Sequence, residues 1–382
     1  MAPVLRISRG GSLTITLQGL SAEQATVLRD ITHSSRSGAG LGPAPLSLFP
    51  QSAAPASGFS LTGTVEQLRG LARSIGADAK LLQDLSGKID SLLDNYLRSD
   101  YKINCRGKVL DLGSRTQIMG ILNVTPDSFS DGGRYADTDR ALAHAREMTA
   151  AGADIIDIGG ESTRPGAERL SEDEELRRIV PVIERLATEI EIPISVDTYK
   201  SAVAKKALEA GASIVNDISG LRFSPDMAKV AADYGAAVVI MHIKGTPRDM
   251  QQNPVYEDVV GEILSYLEES IDIAVRAGVD RERTLIDPGI GFGKTLEHNL
   301  TILQRLDEFR GLGRPIVLGT SRKKFIGTVL DIPVAADRVE GTGATVALGI
   351  ERGASVVRVH DVGPLAKVAR MTDAIVKTVR SS

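Results

Sequence analysis

Apolar and polar positions follow two regimes along this chain. From residue 101 onward, short apolar runs recur between longer stretches whose apolar positions fall at helical spacing, and the pair repeats eight times. The runs predict strands at 117–123, 154–159, 193–197, 213–217, 236–242, 284–287, 315–319 and 355–359. The stretches after them predict helices near 138–150, 173–189, 200–209, 225–234, 256–276, 296–309, 338–352 and 364–378. Near-continuous apolar strands such as Ala237-Val238-Val239-Ile240 suit a parallel sheet covered on both faces. Eight such units fit an α/β fold closed as a (β/α)8 TIM barrel better than an open doubly wound sheet. The open sheet also lacks its phosphate loop, because no Gly-x-Gly-x-x-Gly follows a first strand and opens a helix. Ahead of the first unit, 102–112 reads as a hairpin turning at Arg106-Gly107.

Residues 1–100 read differently. The stretch 13–17 alternates like a short strand, and 21–31 reads as a helix with Ser21 at its N-cap. The following 33–57 is dense in Ser, Gly, Ala and Pro and reads as a loop or linker. Apolar positions in 65–97 predict two helices separated at Gly76. The expected organisation is a small N-terminal α+β appendage over 1–100, carrying no catalytic constellation, and a barrel over 101–382.

Composition narrows the functional classes. With 45 Lys+Arg against 49 Asp+Glu the formal charge is −4, and no basic run points to nucleic acid. Cys105 is the single cysteine, so neither an internal disulfide nor a multi-cysteine zinc site can form. No stretch approaches the roughly 18 uninterrupted apolar residues of a membrane span, and the first residues lack the apolar core of a signal peptide. A soluble, cytoplasmic protein is expected.

The polar residues gather where the strands end. Asn123 leads into Thr125-Pro126-Asp127-Ser128-Phe129-Ser130-Asp131-Gly132-Gly133, and the second strand into Gly160-Glu161-Ser162-Thr163-Arg164-Pro165-Gly166. Further strands end at Asp197, Asn216-Asp217, His242 and Asp287, the last continuing through Gly289, Gly291, Phe292, Gly293 and Lys294. The seventh leads to Ser321-Arg322-Lys323 and the eighth to Arg358-Val359-His360-Asp361. In a barrel these positions meet at one mouth, where active sites are built. Each alone has an ordinary structural reading: Asp197 or Asp287 as a helix cap, Asn216-Asp217 as a turn, Arg322 and Lys323 as a solvated pair, the glycines as loop flexibility. Together they describe one polar cup.

The same residues carry a resemblance. The stretches MGILNVTPDSFSDGG from Met119, DIGGESTRPGA from Asp157, SVDTYK from Ser195, NDISG from Asn216, MH from Met241, IDPGIGFGK from Ile286, GTSRKKFIG from Gly319 and RVHDV from Arg358 resemble dihydropteroate synthases. That resemblance covers about three quarters of the chain and is silent on 1–100. It implies condensation of 6-hydroxymethyl-7,8-dihydropterin pyrophosphate with p-aminobenzoate, giving 7,8-dihydropteroate and pyrophosphate, with Mg2+ as cofactor. By resemblance, Asp197, Asn216, Met241, Asp287 and Lys323 hold the pterin. Asn123, Thr163, Arg164, Arg358 and His360 hold the pyrophosphate, with Asn123 as the metal-linked residue. Thr163, Pro165, Phe292, Ser321 and Lys323 form the p-aminobenzoate pocket. Lys323, Arg358, His360 and Asp197 are the expected catalytic groups, the loops after the first two strands are expected lids, and a homodimer is implied.

Two other readings share features with this one. A methyltransferase moving a methyl group from a methyl-folate to a corrinoid protein would use the same pterin edge, but has no need of the Ser321-Arg322-Lys323 cluster or of Arg358 with His360. A pterin-binding barrel without activity would be expected to lack a key residue, and none is missing.

Overall fold

In a computed structural model of the chain, the structure describes residues 4–9, 12–37, 47–50, 59–78, 82–124, 134–162 and 169–380. They fall into two compact units: residues 1–98 with 307–313, and residues 99–306 with 314–382. The seven residues 307–313 were not separated from the barrel by their sequence pattern. Among the described residues no helix is long and apolar enough to cross a membrane.

The first unit contains strands β1 (Val4–Arg9), β2 (Leu13–Gln18), β3 (Ser47–Pro50) and β4 (Phe59–Gly63), with helices α1 (Ala22–Ser37), α2 (Val65–Asp78) and α3 (Gln83–Leu97). The strands form an antiparallel sheet in the order β1-β2-β4-β3. Its apolar face (Ile7, Ile15, Leu17, Phe59 and Leu61) is buried with Leu28, Leu68, Leu71, Ile75, Leu85, Ile89 and Leu93 of the helices. Ser21 caps α1 as expected, exchanging bonds with Gln24 at 2.9 and 3.1 Å. The structure departs from expectation at four places. Strands β1 and β4 were not expected; the Ser/Pro-rich stretch contains the end of α1 and strand β3; and Gly76 lies inside α2 instead of dividing two helices. A Cβ at Gly76 would stand 3.1 Å from Ser86 Oγ, so this glycine allows α3 close to α2.

The second unit opens with the hairpin β5 (Lys102–Cys105) and β6 (Lys108–Asp111). Arg106 (φ 52°) and Gly107 (φ 94°) form its two-residue turn, the left-handed pair that matches strand twist. Eight strands then close a parallel barrel: β7 (Gln117–Asn123), β8 (Ile155–Gly159), β9 (Ile194–Asp197), β10 (Ile214–Asp217), β11 (Ala237–Met241), β12 (Thr284–Asp287), β13 (Ile316–Leu318) and β14 (Ala354–Val359). Around them run α4 (Arg134–Ala150), α5 (Glu172–Glu189), α6 (Ser201–Glu209), α7 (Met227–Asp233), α8 (Val259–Arg276), α9 (Leu296–Gln304), α10 (Lys324–Leu330), α11 (Val339–Glu351) and α12 (Val362–Arg380). The single helix expected over 296–309 ends at Gln304 and continues as a 3-10 turn, Leu306–Leu312. The short α10 was not expected.

Side chains alternate across each barrel strand. Met119, Ile155, Ile214, Leu285, Val317 and Val356, near the strand starts, pack with Ile103, Cys105, Leu110, Tyr101 and Leu112 of the hairpin segment. The hairpin therefore plugs the N-terminal end of the barrel. Two residues further along, the same inward rows reach Asp157, Asn216, Asp287 and Arg358, and the polar layer begins.

Candidate active site

The inward rows bring side chains from several strands onto one ion-pair network. Arg358 of β14 donates from Nε to Asp157 Oδ2 of β8 at 2.6 Å and from Nη2 to Asp197 Oδ2 of β9 at 2.6 Å. Asn216 of β10 donates from Nδ2 to the same Asp157 oxygen at 3.1 Å. Glycines at the strand ends keep the space between these groups open. A Cβ at Gly159 would lie 3.8 Å from both Asn123 Oδ1 and Asp197 Oδ2, so those two residues flank one point. A Cβ at Gly319 would lie within 3.8–4.0 Å of Asp287 Oδ2, Arg358 Cβ and Lys323 Nζ, so those three surround a second point.

The loop after β12 is shaped by its own glycines. Asp287 Oδ1 accepts from Gly289 N at 2.7 Å. Gly289 has φ 69°, and a Cβ there would stand 1.9 Å from His242 O, so only glycine fits this crossing of the β11 and β12 loops. Lys323 donates to Ile290 O and its ammonium sits 4.8 Å from the Phe292 ring centroid. Buried Lys294 lies 2.9 Å from His242 Nδ1 and donates to Phe292 O at 2.9 Å, which pins the loop carrying Phe292 from behind. Met241 packs with Tyr199, Ile218, Ile243, Met250 and Phe292 in an apolar wall beside the polar groups.

Among the expected site residues, Asn123, Asp197, Asn216, Met241, Asp287, Phe292, Lys323 and Arg358 are thus brought together. Ser321 and His360 pair with each other: the Ser321 hydroxyl accepts from His360 N at 3.1 Å and lies 3.0 Å from His360 Nδ1. Thr163, Arg164 and Pro165, and the loop 125–133, lie outside the described residues. Two polar groups that the strand-end pattern highlighted serve the backbone or one another instead. Arg322 is held on Asp361 by bonds of 2.9 and 2.5 Å, and Asp217 accepts from Ser219 N, Ser219 Oγ and Leu221 N.

Two features were missed in the sequence. Asp157, 0% exposed, was quoted there within a motif but given no role. Its signal was available, because a carboxylate in the middle of the apolar run 154–159 must find a buried cation. The second feature lies behind the β8 and β9 ends. Lys200 is buried between Glu161 and Glu175, bonds Glu175 at 2.6 Å and also reaches Leu170 O at 2.8 Å, so it joins both stems of the segment that contains Thr163 and Arg164.

Burial sets the electrostatics. It raises Asp197 to about 7, against the opposing pull of Arg358, and neighbouring Asp157 adds to the rise. It raises Asp287 as well, opposed by Lys323 and by the Gly289 amide. Burial lowers Lys323 to about 8, with Asp287 opposing and Arg358 reinforcing. For Arg358 burial works against the charge, and Asp157 and Asp197 outweigh it, so its pKa stands above the ordinary value. His242 and Lys294 both lie well below their usual values, through burial first, with Lys294 also lowering His242 and Lys323 also lowering Lys294. Three carboxylates, Asp157, Asp197 and Asp287, and two cations, Arg358 and Lys323, thus line the cup. Among the described residues, no cluster of three or more His, Cys, Asp or Glu is arranged to hold a metal ion.

Comparison with known proteins gives this geometry a family. Residues 119–360 match the family described as pterin binding enzyme. The chain is 55% identical over 273 residues to the dihydropteroate synthase of Bacillus subtilis (strain 168), covering 72% of this chain and 93% of that protein. It is 45% identical to the dihydropteroate synthase of Escherichia coli (strain K12), over 72% and 96% of the two chains. Among solved structures, dihydropteroate synthase from Clostridium difficile in the presence of pteroic acid superposes with a TM-score of 0.66 at 52% identity, covering 70% of this chain and 98% of that one. The enzyme of Xanthomonas albilineans with 4-aminobenzoic acid gives a TM-score of 0.68 at 43% identity, covering 72% and 98%. The matches reach 93–98% of these relatives while covering about seven tenths of this chain, as expected if residues 1–100 are an addition. The chain belongs to the dihydropteroate synthase family of pterin-binding enzymes.

Proposed function

We propose that the cup at the barrel mouth binds 6-hydroxymethyl-7,8-dihydropterin pyrophosphate and transfers its pterin-methyl group to the amine of p-aminobenzoate, releasing pyrophosphate. Family membership makes the chain a transferase of folate biosynthesis. The observation that carries the assignment to this site is the meeting of Asp197, Asn216, Asp287, Lys323 and Arg358, from five separate strand ends, at one end of one barrel. The solved relatives hold pteroic acid, 4-aminobenzoic acid and 7,8-dihydropteroate, which are a product-like acid, one substrate and the product of that reaction. Methyl transfer to a corrinoid protein has no observation in its favour.

The residue types match the chemistry required of them. A flat pterin offers an amino group and ring N–H donors on one edge, which buried carboxylates can accept, and carbonyl and ring-nitrogen acceptors elsewhere. Asp197, Asp287 and Asn216 supply the acceptors, Lys323 the donor, and Met241 the apolar wall. Departure of pyrophosphate first, leaving a pterin-methyl cation delocalised into the ring, suits a cup that places the carboxyl groups of Asp197 and Asp287 at the ring. The aniline nitrogen then attacks that carbon. Catalysis of this kind is electrostatic, resting on fixed charges aimed at groups whose charge changes, and needs no enzyme nucleophile. Arg358 retains N–H donors beyond its two ion pairs, and with His360 and Arg164 it is assigned to the pyrophosphate. Thr163, Pro165, Phe292, Ser321 and Lys323 are assigned to p-aminobenzoate.

The residues present fit Mg2+. That ion keeps several waters and takes few protein oxygens when a diphosphate supplies the rest. The Asn123 carboxamide is a hard oxygen donor flanking the same point as Asp197, whose Oδ1 has no partner among the described residues. Asn123 would hold the ion, and when bound it neutralises charge on the leaving group. A homodimer, implied by the resemblance, and a cytoplasmic location, expected from the sequence, belong to the same proposal.

The test is pyrophosphate release with both substrates and Mg2+. Release that depends on p-aminobenzoate and matches dihydropteroate formed one for one is expected. Release without that dependence, or none, removes the assignment.

A further inference from the structure

We propose that Asp157 is the positioning residue of the cup, one oxygen of which fixes the Arg358 guanidinium and turns the Asn216 amide so that Asn216 Oδ1 faces the ligand. This rests on the functional reading above and adds a residue that reading does not use. Asp157 is the central residue of β8, paired in register with Ile121 on one side and Ser195 on the other. Ile155 below it belongs to the plug layer and Gly159 above it touches the space beside Asp197. The carboxylate lies in the polar layer with Asn216 and Arg358, but it is 0% exposed, and its bonds go to those two residues. It acts through others.

What it does to each follows from donor and acceptor chemistry. A guanidinium has five N–H donors in a rigid plane. Asp157 takes Nε and Asp197 takes one hydrogen of Nη2, each at 2.6 Å, so the plane is pinned at two corners. The remaining hydrogens are on the Nη atoms, and no further bond is made to them among the described residues. Asp197 alone would leave the guanidinium free to pivot about one contact. With Asp157 in place, the cation is presented to a leaving group at a fixed angle.

For Asn216 the consequence is a choice of sign. An amide side chain can offer either its NH2 or its oxygen, and the two orientations are otherwise nearly equivalent. An oxygen that already accepts from a guanidinium can only accept again, so Asn216 must show it Nδ2, at 3.1 Å. Asn216 Oδ1 is thereby turned the other way as an acceptor, and the cup selects a ring with an N–H donor at that place. An uncharged amide at position 157 would remove this instruction, because it can meet Asn216 with either end.

The experiment is a double-mutant cycle on the full chain with Asp157→Asn, Arg358→Lys and both together. Its readouts are kcat/KM for the pterin substrate, KM for p-aminobenzoate, and Tm. Asp157→Asn is expected to lower kcat/KM for the pterin substrate roughly 10- to 100-fold, with KM for p-aminobenzoate within about twofold of wild type. In the Arg358→Lys background the same change is expected to add less than about threefold, because its main target is already lost. Parity of Asp157→Asn with wild type overturns the proposal, as does an undiminished effect in the Arg358→Lys background. A uniform loss across both substrates also overturns it, since that marks a merely structural residue. If Asp157→Asn does not fold, the Arg358 Nε–H resonance of the wild-type protein decides. A downfield, slowly exchanging signal in the free enzyme is expected, and an ordinary, fast-exchanging one overturns the proposal. A wild-type protein that makes no dihydropteroate sinks the functional reading instead, which keeps the two failures distinct.

Discussion

Arg358 and Lys323 show how far single residues here are defined by their neighbours. Each is a cation drawn into the barrel beside carboxylates, and the two titrate in opposite directions: burial lowers Lys323 despite Asp287, whereas Asp157 and Asp197 outweigh burial and raise Arg358. The sign of the pH dependence follows. Asp197, raised to about 7, is protonated and a poor acceptor below that pH, so kcat/KM for the pterin substrate is expected to fall on the acid side. Lys323, lowered to about 8, loses its proton above that pH, so the same quantity is expected to fall on the alkaline side. A narrow bell with its maximum between those values is the expected profile, and a flat one from about pH 6 to 9 would contradict these assignments. Arg358→Ala removes the cation shared by Asp157 and Asp197 and is expected to lower kcat at least about 100-fold. His360→Ala is expected to cost roughly tenfold in kcat with little change in pterin KM. Steady-state kinetics that find turnover unchanged in either variant would remove its role in pyrophosphate departure.

At the scale of elements, the loops after β11 and β12 depend on backbone crossings that admit no side chain. Gly289→Ala combines a left-handed φ of 69° with a Cβ 1.9 Å from His242 O. It is expected to destabilise the fold by about 2–5 kcal/mol, adding strain to overpacking. Urea unfolding with an unchanged midpoint would show that the crossing is slack. Ile103→Ala in the hairpin plug, a fully buried residue, is expected to cost about 2–5 kcal/mol by leaving a cavity at the barrel floor. These elements differ in how legible they are from sequence. The barrel strands are plain, because burial on both faces makes each a dense apolar run, and the hairpin turn is plain because Arg106-Gly107 has turn chemistry. Strand β3 is hidden because a Ser/Pro-rich stretch gives it no alternation of its own; its place comes from pairing with β4. Gly76 misleads because a glycine that lets two helices approach looks the same in sequence as one that ends a helix. Asp157 escaped notice because attention to strand ends discounts a carboxylate two residues earlier, although the period of two already turns it inward with Ile155 and Gly159.

For the whole molecule, a net charge of −4 would discourage an anionic substrate if charge acted at long range. It acts locally instead, since exposed charges are screened beyond about 8–10 Å at physiological salt, while the mouth concentrates Lys323, Arg358 and His360 beyond a floor sealed by apolar side chains. The site was readable as a set because strand-end residues converge only in a closed barrel, so recognising eight repeats was enough to gather residues more than two hundred positions apart. Residues 1–98 fold around a core of their own and contribute no residue to the chemistry assigned above. The account stands or falls on whether the gathered residues bind the pterin. Titration calorimetry with 6-hydroxymethyl-7,8-dihydropterin pyrophosphate and Mg2+ measures this on the wild-type chain and on Asp197→Ala. One site per chain is expected, with affinity at least about tenfold weaker in the variant because ligand donors lose a buried charged acceptor. Equal affinity in the two proteins, or no binding to the wild type, would contradict it.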